Sequence, residues 1–186
     1  IKSAVHTCIV PDEDQVNRIK LYCEEHHISY RNITFIINRS EYALPQLKNM
    51  NFDLALIDGR HGFPAPFIDW FYIAEILKIG GILIIDDLHI WTCELLMQFL
   101  ISEEDWDLLR ETLSAAIFVK QGNNSHRNDY GDQFFVLSQS RQTSIKAKAR
   151  YLFNLLKRRN FSLFWNVFWI GILSAVAGRF GDREKR

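Results

Sequence analysis

Four short apolar runs, separated by stretches of helical periodicity, decide what this chain can fold into. Ala4–Val10 (AVHTCIV) stops at Pro11, and Ile33–Ile37 (ITFII) is followed by the polar segment that leads to Ser40. Leu54–Ile57 (LALI), with Phe52 just ahead, ends at Asp58-Gly59, and Ile82–Ile85 (ILII) ends at Asp86-Asp87. Runs of this length without polar alternation read as strands buried on both faces. Strands that alternate with helices build a parallel sheet with helices on either side. Such a sheet collects its ligands at the carboxyl ends of its strands. The polar residues at those ends are therefore the first candidates for function.

The helical segments carry their own punctuation. Asp12 is placed to cap a helix whose first turn holds Glu13 and Asp14, favourable at the positive helix end. Ser40 begins a short helix through Leu47, and Phe67–Leu77 is helical, with Gly80-Gly81 as its stop signal. Trp91–Leu100 is the next helix. Beyond residue 105 the pattern changes. Trp106–Glu111, Ala115–Lys120 and Gln133–Leu137 read as strands, the last two joined as an antiparallel hairpin by the polar loop Gln121–Asp132. Division at residue 140 gives a sheet domain, 1–140, and a helical tail, 141–186. In the tail, Ile145–Arg159 is a basic amphipathic helix, and Phe161–Phe180 has about the length that spans a bilayer. That stretch is read as a site of membrane association or of homodimerisation.

Charge narrows the function classes. Lys plus Arg and Asp plus Glu are 22 each, so the net charge is zero and no broad basic face for nucleic acid is expected. Cys8, Cys23 and Cys93 have no metal-type spacing and read as reduced thiols of an intracellular, cytoplasmic protein, with a membrane-associated placement if the tail anchors it. The chain opens on Ile1 and enters an apolar stretch almost at once, which reads as a fragment cut into a fold.

Asp58, Asp86 and Asp87 are three carboxylates at two strand ends, where they can converge on one point. A hard cation such as Mg²⁺ takes oxygen ligands of this kind. The competing reading is that Asp58 and Asp86 cap the following turns. His61 stands three residues after Asp58. It can serve as a base, as a further metal ligand, or as an ordinary loop histidine.

Together these motifs resemble a known family. Pro11-Asp12 after a strand, Ser40–Leu47 (SEYALPQL), Asp58-Gly59-Arg60-His61, Gly80-Gly81 and Ile84-Ile85-Asp86-Asp87 occur in the order seen in class I S-adenosylmethionine-dependent methyltransferases from their second strand onward. The catechol O-methyltransferase-like and small-methyltransferase groups are the most similar. The resemblance implies an α/β fold: a Rossmann-like sheet, parallel with an antiparallel C-terminal strand pair, its first strand missing, plus a helical tail. It implies S-adenosylmethionine as cofactor, contacted by Asp12, Ser40, Glu41 and Asp58. It implies Mg²⁺ on Asp58, Asp86 and Asp87, and His61 as base where the catechol-type pattern has lysine. The implied activity is metal-assisted O-methylation of a small hydroxylated molecule.

Two departures qualify that expectation. No glycine-rich G-x-G-x-G loop occurs, and the acidic residue expected at the end of the first strand present is replaced by Cys8 or Val10. The chain alone is therefore expected to bind the cofactor poorly and to be inactive. Two further functions compete: a non-catalytic methyltransferase-like subunit, and a hydroxylase-like tailoring enzyme on the same fold. A dinucleotide-dependent dehydrogenase is disfavoured, because its fingerprint is absent.

Overall fold

The computed structural model describes residues 4–129, 131–157, 163–166 and 168–169. The chain divides into two compact units, Ile1–Asp129 and Tyr130–Arg186.

The first unit alternates as the apolar runs predict. Strand β1 (His6–Val10) leads into helix α1 (Glu13–Glu25), then β2 (Ile33–Ile37), the short α2 (Ser40–Ala43) with a 3-10 turn, Leu44–Leu47, and β3 (Phe52–Ile57). Helix α3 (Ala65–Ile76), β4 (Leu77–Ile85), α4 (Trp91–Ser102), β5 (Trp106–Glu111) and β6 (Ala116–Lys120) follow. Strands β1 and β2 pair in parallel as a separate two-stranded sheet. The other four take the order β3-β4-β6-β5, with β3 and β4 parallel and β6 antiparallel to both β4 and β5. Among the described residues β1 and β3 are not hydrogen-bonded to each other, so the mixed sheet is interrupted where a first strand would lie.

The four-stranded sheet has one well-packed face. Leu83 lies opposite Phe118 and Ile85 opposite Ala116, and all four are fully buried. Above them α3 is apolar almost all round, as a helix sunk in a core must be. Trp70 of α3 meets Phe99 of α4 edge-on, with ring centroids 5.0 Å apart. The opposite face carries Leu54, Leu56, Ile82, Ile84, Ile117 and Val119 and is only partly covered, Leu54 and Leu56 being 56% and 52% exposed. Burial of every strand on both faces does not hold here.

Two local expectations are corrected. Residues 133–137 are not a strand, because they fall within helix α5 (Phe134–Lys157) of the second unit. Phe134-Phe135-Val136-Leu137 has strand-like composition, but no helix breaker separates it from the long helical segment that follows, and cooperativity extends the helix backwards. The antiparallel pair is instead β5–β6, joined by a turn in which the N–H groups of Ser114 and Ala115 donate to Thr112 Oγ1. Gly80-Gly81 does not stop a helix. Helix α3 ends at Ile76, and the glycines sit inside β4, where Gly80 has φ +80° and a register shift interrupts the pairing with β3. The division at residue 140 falls inside α5.

The tail also needs correction. Among the described residues no helix is long and apolar enough to cross a membrane, which overturns the membrane-associated partner and placement expected from 161–180. Most of 161–180 lies outside the described residues, and 163–166 and 168–169 are helical. Helix α5 is 24 residues long but carries Arg141, Lys146, Lys148, Arg150 and Lys157.

Candidate metal centre

The parallel register of β3 and β4 makes the site. Ile57 pairs with Ile85, so the next residue on each strand, Asp58 and Asp86, emerges at the same rim. The Asp86 N–H donates to Ile57 O at 3.0 Å, which carries the ladder one step past the last pair. Asp87 then turns the chain with φ +57°, a left-handed conformation that aspartate tolerates better than most residues. Asp86 Oδ1 accepts the Asp87 N–H at 2.8 Å and supports that turn.

Three ligand atoms converge beyond the rim. One from each of Asp58, His61 and Asp87 lies within 4.8 Å of the other two. His61 Nε2 is 3.2 Å from Asp87 Oδ2. That nitrogen is buried and makes no aligned hydrogen bond. On the outer side, His89 Nδ1 is 3.6 Å from Asp87 Oδ1. The loop that carries His61 is tied down by Thr92 of α4, whose hydroxyl donates to the His61 carbonyl. Burial pushes the Asp58 carboxyl above the ordinary aspartate range, the charges of Asp86 and Asp87 add to the rise, and His61 opposes it. Crowded carboxylates beside a nitrogen with an unused valence form a donor set suited to a divalent cation. Cys93, fully buried in the first turn of α4, has its thiol pushed up by burial.

The set differs from the one expected. Asp86 does not join the cluster, because one of its oxygens is committed to the Asp87 amide, and His61 stands in its place. Asp12 caps α1, its Oδ1 accepting the Gln15 N–H at 2.9 Å. Ser40 opens α2, and its side chain lowers the Asp69 pKa against the rise that burial causes. Glu41 Oε1 pairs with Arg60 at 3.2 Å. Through this pair the start of α2 is fastened to the segment that follows Asp58.

Asp69 is the residue that sequence reasoning missed. It is 5% exposed in the second turn of α3, and its Oδ1 has no hydrogen-bond partner. A single carboxylate inside the apolar stretch Phe67–Tyr72 was the available signal. Trp70 is core, whereas Phe63 and Trp91 are exposed, two residues after His61 and four after Asp87 in the chain.

Comparison with known proteins fits this geometry. Residues 3–88 match the family described as a methyltransferase domain. Among solved structures, the O-methyltransferase TomG from Streptomyces achromogenes, involved in tomaymycin synthesis and determined with S-adenosylmethionine, superposes with a TM-score of 0.54. It is 12% identical, over 66% of this chain and 64% of that one. A protein from Corynebacterium glutamicum gives a TM-score of 0.51 at 17% identity, over 66% of this chain and 63% of that one. The chain thus spans less than two thirds of either structure, and at these identities the likeness is one of fold. No curated protein matches. Over residues 3–88 the chain is thus similar to that family, and its strand order is that of a Rossmann-like methyltransferase fold lacking its first strand.

Proposed function

We propose that this domain serves metal-assisted O-methylation of a small hydroxylated molecule. The observation that carries the reading is the convergence of Asp58, His61 and Asp87 at the rim of a methyltransferase-like sheet. Asp58 and Asp87 would hold the cation, which supplies a Lewis acid that lowers a hydroxyl pKa while S-adenosylmethionine supplies an electrophilic methyl group. The chain's own part is alignment. Asp58 and Asp87 fix where the substrate oxygen sits, and the Thr92 contact holds the His61 loop against them. Exposed Phe63 and Trp91 offer flat apolar walls for an aromatic or ring-bearing substrate. In this reading Asp12, Ser40 and Glu41, which follow the ends of β1 and β2, would contact the cofactor.

One observation favours a second reading, a non-catalytic methyltransferase-like subunit. Ser40 and Glu41 are already engaged by Asp69 and Arg60 rather than open to a ligand. Product mass separates the two. The protein is incubated with S-adenosylmethionine, a divalent cation and a panel of phenols and vicinal diols. A mass gain of one methyl that falls at least about 100-fold in Asp58→Ala and Asp87→Ala supports the enzyme. A gain indifferent to both changes defeats the metal-assisted reading, and no gain on any substrate favours the subunit.

A further inference from the structure

The donor set says more about the ion than that it is divalent. We infer that His61 is a metal ligand through Nε2, and that the centre accordingly takes a first-row transition dication in preference to Mg²⁺. This rests on the metal reading above and gives His61 a place in the coordination shell, which removes it as a free base.

With metal–ligand bonds of about 2.1 Å, neighbouring ligands of an octahedral ion lie about 3.0 Å apart and opposite ones about 4.2 Å apart. Nε2 of His61 and Oδ2 of Asp87 are 3.2 Å apart, close to such a neighbouring pair, and all three ligand atoms fall within 4.8 Å. A histidine oriented by a carboxylate to act as a base would show an aligned N–H···O bond between them. Here the nitrogen is buried and no such bond is made. A buried imidazole nitrogen without a hydrogen-bond partner is costly unless something accepts its lone pair, and a cation does.

Placement of the loop supports the same conclusion. The Thr92 hydroxyl fixes the carbonyl of His61 itself, so the residue is held from its backbone with its ring beside Asp87. Asp86, the carboxylate that would complete an all-oxygen set, has one oxygen on the Asp87 amide and lies outside the cluster. Two carboxylates and one imidazole remain. Mg²⁺ favours oxygen ligands and binds imidazole poorly, whereas imidazole suits the transition ions. His89, 3.6 Å from the other oxygen of Asp87 and largely exposed, is the neighbouring nitrogen against which the assignment has to be checked.

Mn²⁺ is the probe, because its unpaired electrons report directly bound nitrogen. The full chain is loaded with Mn²⁺ and examined by electron spin-echo modulation, with affinities measured by calorimetric titration of Mn²⁺ and of Mg²⁺. The expected result is a ¹⁴N coupling typical of a bound imidazole, lost in His61→Gln and kept in His89→Gln. Mn²⁺ affinity should fall about tenfold in His61→Gln, while Mg²⁺ affinity changes less than about threefold. Mn²⁺ bound through Asp58 and Asp87 with no ¹⁴N coupling, or with a coupling lost only in His89→Gln, overturns the inference and leaves the metal reading intact. Mn²⁺ binding that is absent, or unchanged in Asp58→Asn and Asp87→Asn, overturns both.

Discussion

Asp69 shows how one side chain can hold a site together at a cost to the fold. It lies in the second turn of α3, almost wholly removed from water, where burial pushes its carboxyl above the ordinary range and the Ser40 hydroxyl pulls it partly back. An aspartate raised in the folded state binds its proton more tightly there than in the unfolded chain. Its contribution to stability is thus fully present below the unfolded pKa of about 3.9 and is lost as pH rises through the higher folded value. At neutral pH the charged group, with Oδ1 unpartnered, opposes folding. Asp69→Asn keeps an oxygen for Ser40 and removes the charge. It should raise Tm at pH 7 by about 2–4 °C, corresponding to ~1 kcal/mol, and have almost no effect near pH 3.5. Calorimetric melts at the two pH values check this. An equal shift at both would mean that charge is not the cause. The position was hard to read from sequence because its meaning depends on Ser40 and Gly59, which lie 29 and 10 residues away in the chain. That Asp58 and Asp87 come to one rim was legible, because both lie within two residues of the end of an apolar strand. That Asp86 stands apart from Asp58, His61 and Asp87 was not, since it follows from Asp86 Oδ1 accepting the Asp87 N–H.

Among the elements, α3 ends in an unusual way. Its last turn leaves carbonyls that no later helical residue can satisfy. Lys120, the last residue of β6, is fully buried and extends its ammonium group to Ala74 O at 2.5 Å and Leu77 O at 2.7 Å. A strand thus caps a helix, and the positive charge suits the helix's negative end. Burial lowers the Lys120 pKa, so the contact exists against a desolvation penalty. Lys120→Met keeps the volume of the stem and deletes the donor, leaving the two carbonyls without it. The expected loss is about 2–4 kcal/mol, read as a lower midpoint in urea unfolding. A change below ~0.5 kcal/mol would show that water replaces the ammonium without loss. Element boundaries were legible where a breaker or cap marks them: β2 and β5 fall where composition puts them, and α1 starts after Asp12. They were not legible at 133–137 or at Gly80-Gly81. In the first case strand-forming side chains were recruited into a longer helix. In the second the glycines serve an irregular strand, where a Cβ on Gly81 would come 2.8 Å from the Lys78 carbonyl.

For the molecule as a whole, the interrupted sheet has consequences that the buried face conceals. Strand β3 is an edge of the four-stranded sheet among the described residues, and its outward leucines are more than half exposed. They continue a row through Ile82 and Ile84 of β4 to Ile117 and Val119 of β6, so one sheet face presents a contiguous apolar surface beside an unpaired strand edge. Single exposed leucines are ordinary, but a patch joined to free backbone donors and acceptors is a template for association. The same surface explains why composition alone suggested strands buried on both faces: these side chains are apolar, and the fold described here covers only one side of them. Lysine on that surface should disfavour association without touching the packed face. Leu54→Lys with Leu56→Lys is expected to lower light scattering and the fluorescence of a bound hydrophobic dye at least about twofold, because each change interrupts the apolar row and charges the edge. Ala55 and Ile57, which face the other way, remain in place, so the far-ultraviolet circular dichroism should stay unchanged. Scattering that persists in the double variant, with the dichroism intact, would locate the association elsewhere and leave the open sheet face innocent of it.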